Sequence, residues 1–387
     1  MTNNLVHLRK FVAPEFIYGS GSRFLAGSVI SRLGVNKVML ISDPGVEKCG
    51  WVDDIRNSLQ EAGVDFIYFD QVSPNPRDYQ VMHCAQVFSD EACEAIVVIG
   101  GGSPMDLAKG AGIVASNKKH VLDFEGIDQV EISSPPLVCI PTTAGSSADV
   151  SQFAIINDSR RKVKIAIVSK AVVPDMALID PETTLSMDPE LTTATGMDAL
   201  THAVEAYVSK ASFSVTDTHA LEAIKLVNEN ILQAVQNPDE IIYRDKLMLA
   251  SLHAGLAFSN AILGAVHAMA HSLGGLMDFP HGLCNALLLS KVVKFNFDSE
   301  IDKYTRIAEI LGLNIQARSP EYVRDILSQK LFDLHFEAGL TKSLGQLGLE
   351  KDSIEELAKN AVNDPCMLTN PKEMSVQDVQ KIFLSTI

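Results

Sequence analysis

Three histidines lie close together in a part of the chain that carries almost no charge. The run from 250 to 277 contains no Asp, Glu, Lys or Arg; His267 and His271 lie within it, and His281 follows shortly after. Residues four apart lie on one face of a helix, one turn from each other. A buried imidazole needs a partner for each ring nitrogen, and one metal ion would serve all three rings. A single buried histidine is more often a hydrogen-bonded core residue, and a second one at this spacing narrows that preference because His-x3-His on a helix is a recurrent metal-ligand spacing.

A second polar stripe comes earlier in the chain. Asp188, followed by Pro and Glu, predicts the start of a helix that runs towards Val208. Asp198, His202 and Glu205 fall at i, i+4 and i+7 on one side of that helix. Imidazole and carboxylate ligands without thiolate suit zinc or ferrous iron and disfavour magnesium and calcium. Spacing alone leaves open which of these residues bind a metal and which relay protons.

The uncharged run is long enough to cross a membrane as a helix. Its histidines, Asn260 and several glycines argue against that interpretation. We interpret it instead as a central helix of a soluble bundle, whose core can hold a metal between facing helices.

Composition limits the class of protein. A chain of 387 residues predicts two domains, and a formal charge of −16 argues against a nucleic-acid partner. The six cysteines include no CxxC pair, so a disulfide framework is not expected and a reducing compartment fits. The first eleven residues have no long apolar run after their basic residues and do not predict a secretory signal. We expect a cytoplasmic protein without a membrane partner.

The first half of the chain alternates between strands and helices. Helical stretches at 51–62 and 79–90 separate short runs rich in β-branched residues, which predicts a parallel sheet covered on both faces. The predicted strands are 37–42, 65–70, 95–100, 137–140, 164–168 and 176–180, with 11–22 as an edge strand or arm. Beyond about residue 185 helical periodicity takes over. We therefore predict an α/β dinucleotide-binding domain at 1–185 and an all-helical metal and substrate domain at 186–387.

Three features follow the carboxyl ends of predicted strands, where open α/β sheets bind ligands. In 100–106, three glycines precede Ser103 as a helix N-cap, which predicts a helix N-terminus open to a pyrophosphate. Asp43 could accept hydrogen bonds from an adenosine ribose, and 141–147 places small hydroxyl residues around a glycine. Each feature alone is also compatible with an ordinary turn, but together they favour a dinucleotide.

Several of these segments closely resemble the iron-dependent (group III) alcohol dehydrogenases. They are GMDALTHAVEAY (196–207), GAVHAMAHSLGG (264–275), PHG (280–282), GGGSPMDLAK (100–109) and PTTAG (141–145), and DPCMLTNP (364–371) is similar to the family's C-terminal signature. The resemblance covers essentially the whole chain. It implies a dehydroquinate synthase-like fold, with an α/β dinucleotide-binding domain followed by an all-α metal-binding domain.

The resemblance also implies roles for individual residues. The metal ligands would be Asp198, His202, His267 and His281, while His271 would line the site near the nicotinamide as a catalytic residue without ligating. Asp43 would favour NAD over NADP. The other implied cofactor contacts are Asn75, Gly101, Gly102, Ser103, Thr142, Thr143, Ser146, Ser151 and Lys162. The segment 146–149 reads SSAD where many members carry TGSE or similar, which weakens the assignment of Ser146.

The implied activity is reversible, NAD-dependent oxidation of a short-chain primary alcohol such as ethanol at an Fe²⁺ centre, with Zn²⁺ as the alternative metal. The pocket candidates Phe153, Phe258 and Leu263 are apolar and fit a small alcohol or aldehyde. A homo-oligomer, most simply a dimer, is expected. The alternatives are a zinc-dependent polyol or glycerol dehydrogenase, a lyase of the same fold, and a nicotinamide-binding sensor with a structural metal. The lyase would need a cluster of Lys and Arg around a polyanionic substrate, which 250–277 does not offer.

Overall fold

The computed structural model describes residues 9–387, so most of the N-terminal segment tested for a secretory signal lies outside the described residues. The described strands are β1 Glu15–Tyr18, β2 Lys37–Ile41, β3 Asp65–Phe69, β4 Ala95–Gly100, β5 Gly126–Ile127, β6 Leu137–Pro141, β7 Phe153–Asp158, β8 Val163–Val168 and β9 Met176–Ile179. The α-helices of the first half are α1 Ala26–Arg32, α2 Pro44–Lys48, α3 Trp51–Glu61, α4 Asp78–Asp90 and α5 Gly102–Asn117. Those of the second half are α6 Pro189–Val208, α7 Ser214–Gln236, α8 Ile241–Ala261, α9 Ala265–Met277, α10 His281–Asn296, α11 Ile301–Ile310, α12 Pro320–Glu337, α13 Ile354–Val362 and α14 Val376–Leu384.

Six strands form the predicted parallel sheet, in the order β1-β9-β6-β4-β2-β3. Strand β4 is buried along its whole length because helices cover both faces: Ile96 and Val98 pack into one core, Val97 and Ile99 into the other. Strand β1 lies at the edge, as predicted. The α/β fold class inferred from the sequence is confirmed.

The expectation that 164–168 adds a strand to this sheet is wrong. That stretch forms β8, which pairs antiparallel with β7 in a separate sheet of order β5-β8-β7. Strand β7 was not predicted from the sequence. The two strands are joined by only four residues, 159–162, whereas parallel neighbours need a crossover of about a dozen residues or more.

The uncharged run is two helices, so the prediction of a single central helix is also wrong. Helices α8 and α9 are bent by 98° relative to each other, and Ile262 at the break has a φ of 61°. This left-handed conformation is costly for a β-branched residue and ends α8 abruptly. Within residues 9–387 no single helix is long and apolar enough to cross a membrane; α8 and α9 pass only as a bent pair, on length and composition.

The order of the sheet brings the predicted ligand loops together. Strand β4 lies between β2 and β6, so the loops that begin at Asp43, Gly101 and Thr142 are neighbours at one edge. The chain goes from β2 outward to β3 and then back to the other side of β2, which makes the gap between β2 and β4 a topological switch point where such sheets bind ligands. From Pro189 onward the described elements are helical, while the domain division at 185 and 186 stays a prediction.

Candidate active site

One cleft, with a volume of about 770 Å³, joins the carboxyl edge of the sheet to the helical half. The sheet side contributes the loops after β2, β4 and β6, and the helical side contributes residues of α6, α8, α9 and α10. Thus the glycine turn and the histidine helices, which are distant in the sequence, line the same space.

Four predicted metal residues converge at the helical side of this cleft. Asp198 and His202 come from α6, His267 from α9 and His281 from the first position of α10. Each offers one ligand atom, and these four atoms all lie within 4.8 Å of one another. Glu205, from the same stripe on α6, lies outside this group, which narrows the choice that the spacing left open.

The electrostatics of the group suit a cation. Burial lowers the pKa of His202, and lowers those of His267 and His281 well below the ordinary value, so all three rings are neutral near pH 7 and keep a free lone pair. Three neutral imidazoles and one carboxylate are a donor set that fits zinc or ferrous iron. The residues present therefore fit the metal that the sequence implied.

Asn285 lies one turn beyond His281 on α10 and is fully buried. Its Nδ2 lies 2.6 Å from Asp198 Oδ1, 3.0 Å from His267 Nε2 and 3.2 Å from His281 Nε2. The amide thus contacts three of the four ligand atoms. This residue was not predicted from the sequence, although its i, i+4 spacing from His281 is a signal that could have indicated it.

Glu205 contacts His267 on the side of the ring that faces away from Asp198. Its Oε2 lies 2.6 Å from His267 Nδ1, and both oxygens accept backbone N–H groups at the start of α9. Burial raises the pKa of Glu205 to about 7, while the N–H groups of Val266, Gly264 and His267 act in the opposite direction.

His271 lines the cleft but belongs to a different cluster. Its Nδ1 lies 2.8 Å from Asp364 Oδ2, and its ring stacks on His281 at 5.5 Å between centroids. Burial acts to raise the pKa of Asp364, but the contact with His271 holds it below its ordinary value. Cys366 completes this cluster; burial raises its pKa, so it stays a protonated thiol and a poor metal ligand. Asp364 was missed because 93 residues separate it from His271.

Nine of the ten predicted cofactor residues line the sheet side of the cleft. They are Asp43, Asn75, Gly101, Gly102, Ser103, Thr142, Thr143, Ser146 and Ser151. The predicted cap at Ser103 is wrong: α5 begins at Gly102 with Gly101 as its N-cap, and no side chain caps it. The Ser103 hydroxyl instead accepts a hydrogen bond from Asn75 N at 3.3 Å. A Cβ at position 102 would lie 3.1 Å from Ser146 Cβ. Glycine avoids this close contact, so the backbone N–H groups at the start of α5 can face the cleft.

Lys162 is the exception. It lies exposed in the turn between β7 and β8, with a φ of 55°, and does not line the cleft. Two residues later, Lys164 does line it, and burial lowers the pKa of its amine. Lys162 lies in the turn, one residue before β8 begins, whereas Lys164 is the second residue of β8.

Comparison with known proteins identifies the family of this chain. The family model for iron-containing alcohol dehydrogenase matches residues 13–181, and that for the C-terminal part of the Fe-containing alcohol dehydrogenase family matches 192–387. The chain belongs to the iron-containing alcohol dehydrogenase family. It is therefore an oxidoreductase of the alcohol dehydrogenase type, and the resemblance seen in the sequence is confirmed.

Individual relatives match along nearly their whole length. The chain is 36% identical to the NAD-dependent methanol dehydrogenase of Bacillus methanolicus over 97% of this chain and 99% of that one. It is 39% identical to the 1,3-propanediol dehydrogenase of Citrobacter freundii, covering 95% of each. The solved alcohol dehydrogenase from Oenococcus oeni superposes with a TM-score of 0.95 at 33% identity, covering 98% of this chain and 100% of that one.

All six cysteines are free, as the absence of CxxC pairs predicted.

The three predicted pocket residues lie in the wall of the cleft. Phe153, Phe258 and Leu263 line it, and the Phe258 ring stacks on His202 at 4.3 Å between centroids. The wall next to the histidine cluster is therefore apolar.

Proposed function

We propose that this protein is an NAD-dependent alcohol dehydrogenase that reversibly oxidises a short-chain primary alcohol, such as ethanol, to the aldehyde, with a divalent iron ion as its metal. The observation that carries this proposal is the single cleft that holds both the open N-terminus of α5 and the group of Asp198 and three histidines. A dinucleotide and a Lewis acid that face each other across one cleft are what hydride transfer from an alcohol requires.

The cofactor would lie along the sheet side. The N-terminus of α5 carries partial positive charge and free N–H groups, which suit a pyrophosphate. Asp43, at the end of the neighbouring strand, would accept hydrogen bonds from the adenosine ribose. The name of the Bacillus methanolicus relative includes NAD dependence, which supports the same cofactor here.

The metal would be held by Asp198, His202, His267 and His281. When bound, it would supply Lewis-acid polarisation of the alcohol oxygen, and NAD would accept the hydride. The helices contribute rigid positioning, because α10 packs against both α6 and α9. Asp198, His202 and His267 are buried within their helices, while His281 is half-buried at the first position of α10.

His271 would carry the proton of the alcohol between the cleft and solvent. Asp364 contacts its Nδ1, which keeps a proton on that nitrogen and leaves Nε2 to exchange protons. Phe153, Phe258 and Leu263 would exclude water from the reacting carbon and accept a short aliphatic chain. The relatives named for methanol and 1,3-propanediol support a small primary alcohol.

The test is metal analysis of protein purified without air, followed by a panel of alcohols with NAD. We expect iron in the protein and turnover of ethanol and other short primary alcohols. Zinc together with a preference for glycerol would replace this proposal with the polyol dehydrogenase. A bound metal and NAD without turnover of any alcohol would indicate the sensor.

The cofactor proposal makes a prediction for the two lysines near the hairpin turn. Lys164→Met should raise the KM for NAD about tenfold or more. The substitution would remove one charge-assisted hydrogen bond from the Lys164 amine to the cofactor, and such a bond contributes roughly 1.5–3 kcal/mol. Lys162→Met removes the same charge two residues away, outside the cleft, and should leave the KM unchanged. Steady-state kinetics of both variants would show this, and equal effects would contradict the placement of the cofactor.

We also propose that copies of this chain associate in the cytoplasm as a homo-oligomer. The edge strand β1 leaves Phe16 39% exposed, and an exposed edge is a surface on which a second chain can pair. Sedimentation analysis tests this, and a monomer at micromolar concentration would overturn it.

A further inference from the structure

The start of helix α9 is held by side chains from distant parts of the chain. The first N–H groups of a helix have no partner within the helix. Here Gly264 N and Val266 N donate to the Glu205 carboxylate at 3.1 and 2.6 Å, and His267 N donates to it at 3.4 Å. Ala265 N donates to Asn370 Oδ1 at 3.1 Å. Two buried side chains therefore satisfy four consecutive donors.

The same carboxylate also contacts a metal-group residue. Glu205 Oε2 accepts from His267 Nδ1 at 2.6 Å, while His267 Nε2 points to the other side, 3.8 Å from Asp198 Oδ1. A carboxylate that accepts from Nδ1 keeps the proton there and leaves the Nε2 lone pair free.

We propose that Glu205 is the positioning residue of the metal centre: one carboxylate anchors the start of α9 and holds His267 in the Nδ1–H tautomer, with Nε2 presented to the ion. This inference rests on the proposed metal function of Asp198, His202, His267 and His281. It assigns to Glu205 a role that the polar stripe on α6 left open.

Gly264 makes this arrangement possible. A Cβ at this position would lie 2.9 Å from Glu205 Oε1 and 3.0 Å from Asn370 Oδ1. Any side chain would therefore push away both acceptors. The break between α8 and α9 thus places four backbone N–H groups that have no partner within α9 where the carboxylate of Glu205 on α6 can reach three of them.

The substitution Glu205→Gln tests the proposal with little change in shape. Both carboxylate oxygens face donors, so either orientation of the amide places an NH₂ group against an N–H. If the NH₂ faces His267, Nδ1 must become the acceptor and the ring proton moves to Nε2, which blocks ligation. We expect metal affinity to fall about 10- to 100-fold, the usual effect of losing a partner that orients a ligand histidine.

Asn370→Ala is the matched control. It removes an acceptor from the same helical turn, but Asn370 contacts Ala265 and Asn296 rather than a metal-group residue. Its thermal midpoint should fall, while the Co²⁺ affinity of the folded protein should remain that of the parent. A purely structural role for Glu205 would make the two variants behave alike.

The experiment is a Co²⁺ titration of the metal-free full-length chain and of both variants, followed by visible absorption. It is paired with ¹⁵N NMR of the imidazole nitrogens in the metal-free parent protein, which needs no variant to fold. We expect a proton on Nδ1 of His267 and weakened Co²⁺ binding in Glu205→Gln only. A proton on Nε2, or parental Co²⁺ affinity in Glu205→Gln, would overturn the inference. Parent protein that binds Co²⁺ as expected but, with iron restored, oxidises no alcohol would refute the proposed function and leave this inference intact.

Discussion

His267→Ala should abolish stable metal binding and lower NAD-dependent ethanol oxidation about a thousandfold or more. The residue is one of the four side chains proposed to bind the metal, and the Lewis acid is expected to contribute several kcal/mol of stabilisation as charge develops in the transition state. His267 is also only 1% exposed, so the substitution removes a buried side chain of the cluster and not a surface histidine. Metal content after gel filtration and the initial rate of NADH formation measure the two effects.

A second histidine provides the control for this experiment. His253 is half-buried on α8, and its Nδ1 lies 2.9 Å from His219 Nδ1, away from the residues that line the cleft. His253→Ala should keep both the metal and the activity. Retention of metal and ethanol oxidation in His267→Ala would refute the metal centre.

Asp43→Gly should shift cofactor preference towards NADP about a hundredfold. The carboxylate lines the cleft at the end of β2, where it would face the ribose and repel a 2′-phosphate. A repulsion of roughly 2–3 kcal/mol at short range corresponds to about two orders of magnitude in the NADP/NAD ratio of kcat/KM.

The structure shows why glycine is the informative replacement. Asp43 also caps α2: its Oδ1 accepts from Gly45 N at 2.9 Å and Val46 N at 3.1 Å. Glycine at an N-cap costs only a few tenths of a kcal/mol, so a change in preference would not come from unfolding of the loop. Asp53→Asn removes a negative charge from the first turn of α3, outside the cleft, and should leave the ratio unchanged. An unaltered ratio in Asp43→Gly would exclude this residue from cofactor selection.

Much of the architecture follows from local patterns. The runs at 37–42, 65–70 and 95–100 are short apolar segments that contain β-branched residues, and each forms a strand of the parallel sheet within a residue of its predicted end. The spacing of Asp198 and His202, and of His267 and His271, needs only the helical repeat to place each pair on one face. These features depend on neighbours in the chain, so the amino-acid order is sufficient for them.

The errors arose where a distant contact overrides the local pattern. Gly264 is compatible with a break near 262 but does not specify one. Glu205 and Asn370, which satisfy the new helix start, lie 59 and 105 residues away from their backbone donors. The hairpin of β7 and β8 likewise placed Lys164 rather than Lys162 in the cleft, because Lys164 lies within β8 and Lys162 lies in the turn before it.

Residue types and short-range periodicity were enough to indicate a parallel sheet, a glycine turn and a set of possible ligands. They could not separate Glu205 from Asp198, since both are carboxylates on one face of α6. That distinction depends on where α9 begins and on which oxygen its backbone N–H groups reach. The tertiary structure therefore decides the roles of these two carboxylates, because the energy of a buried carboxylate depends on the hydrogen-bond donors that folding brings to it.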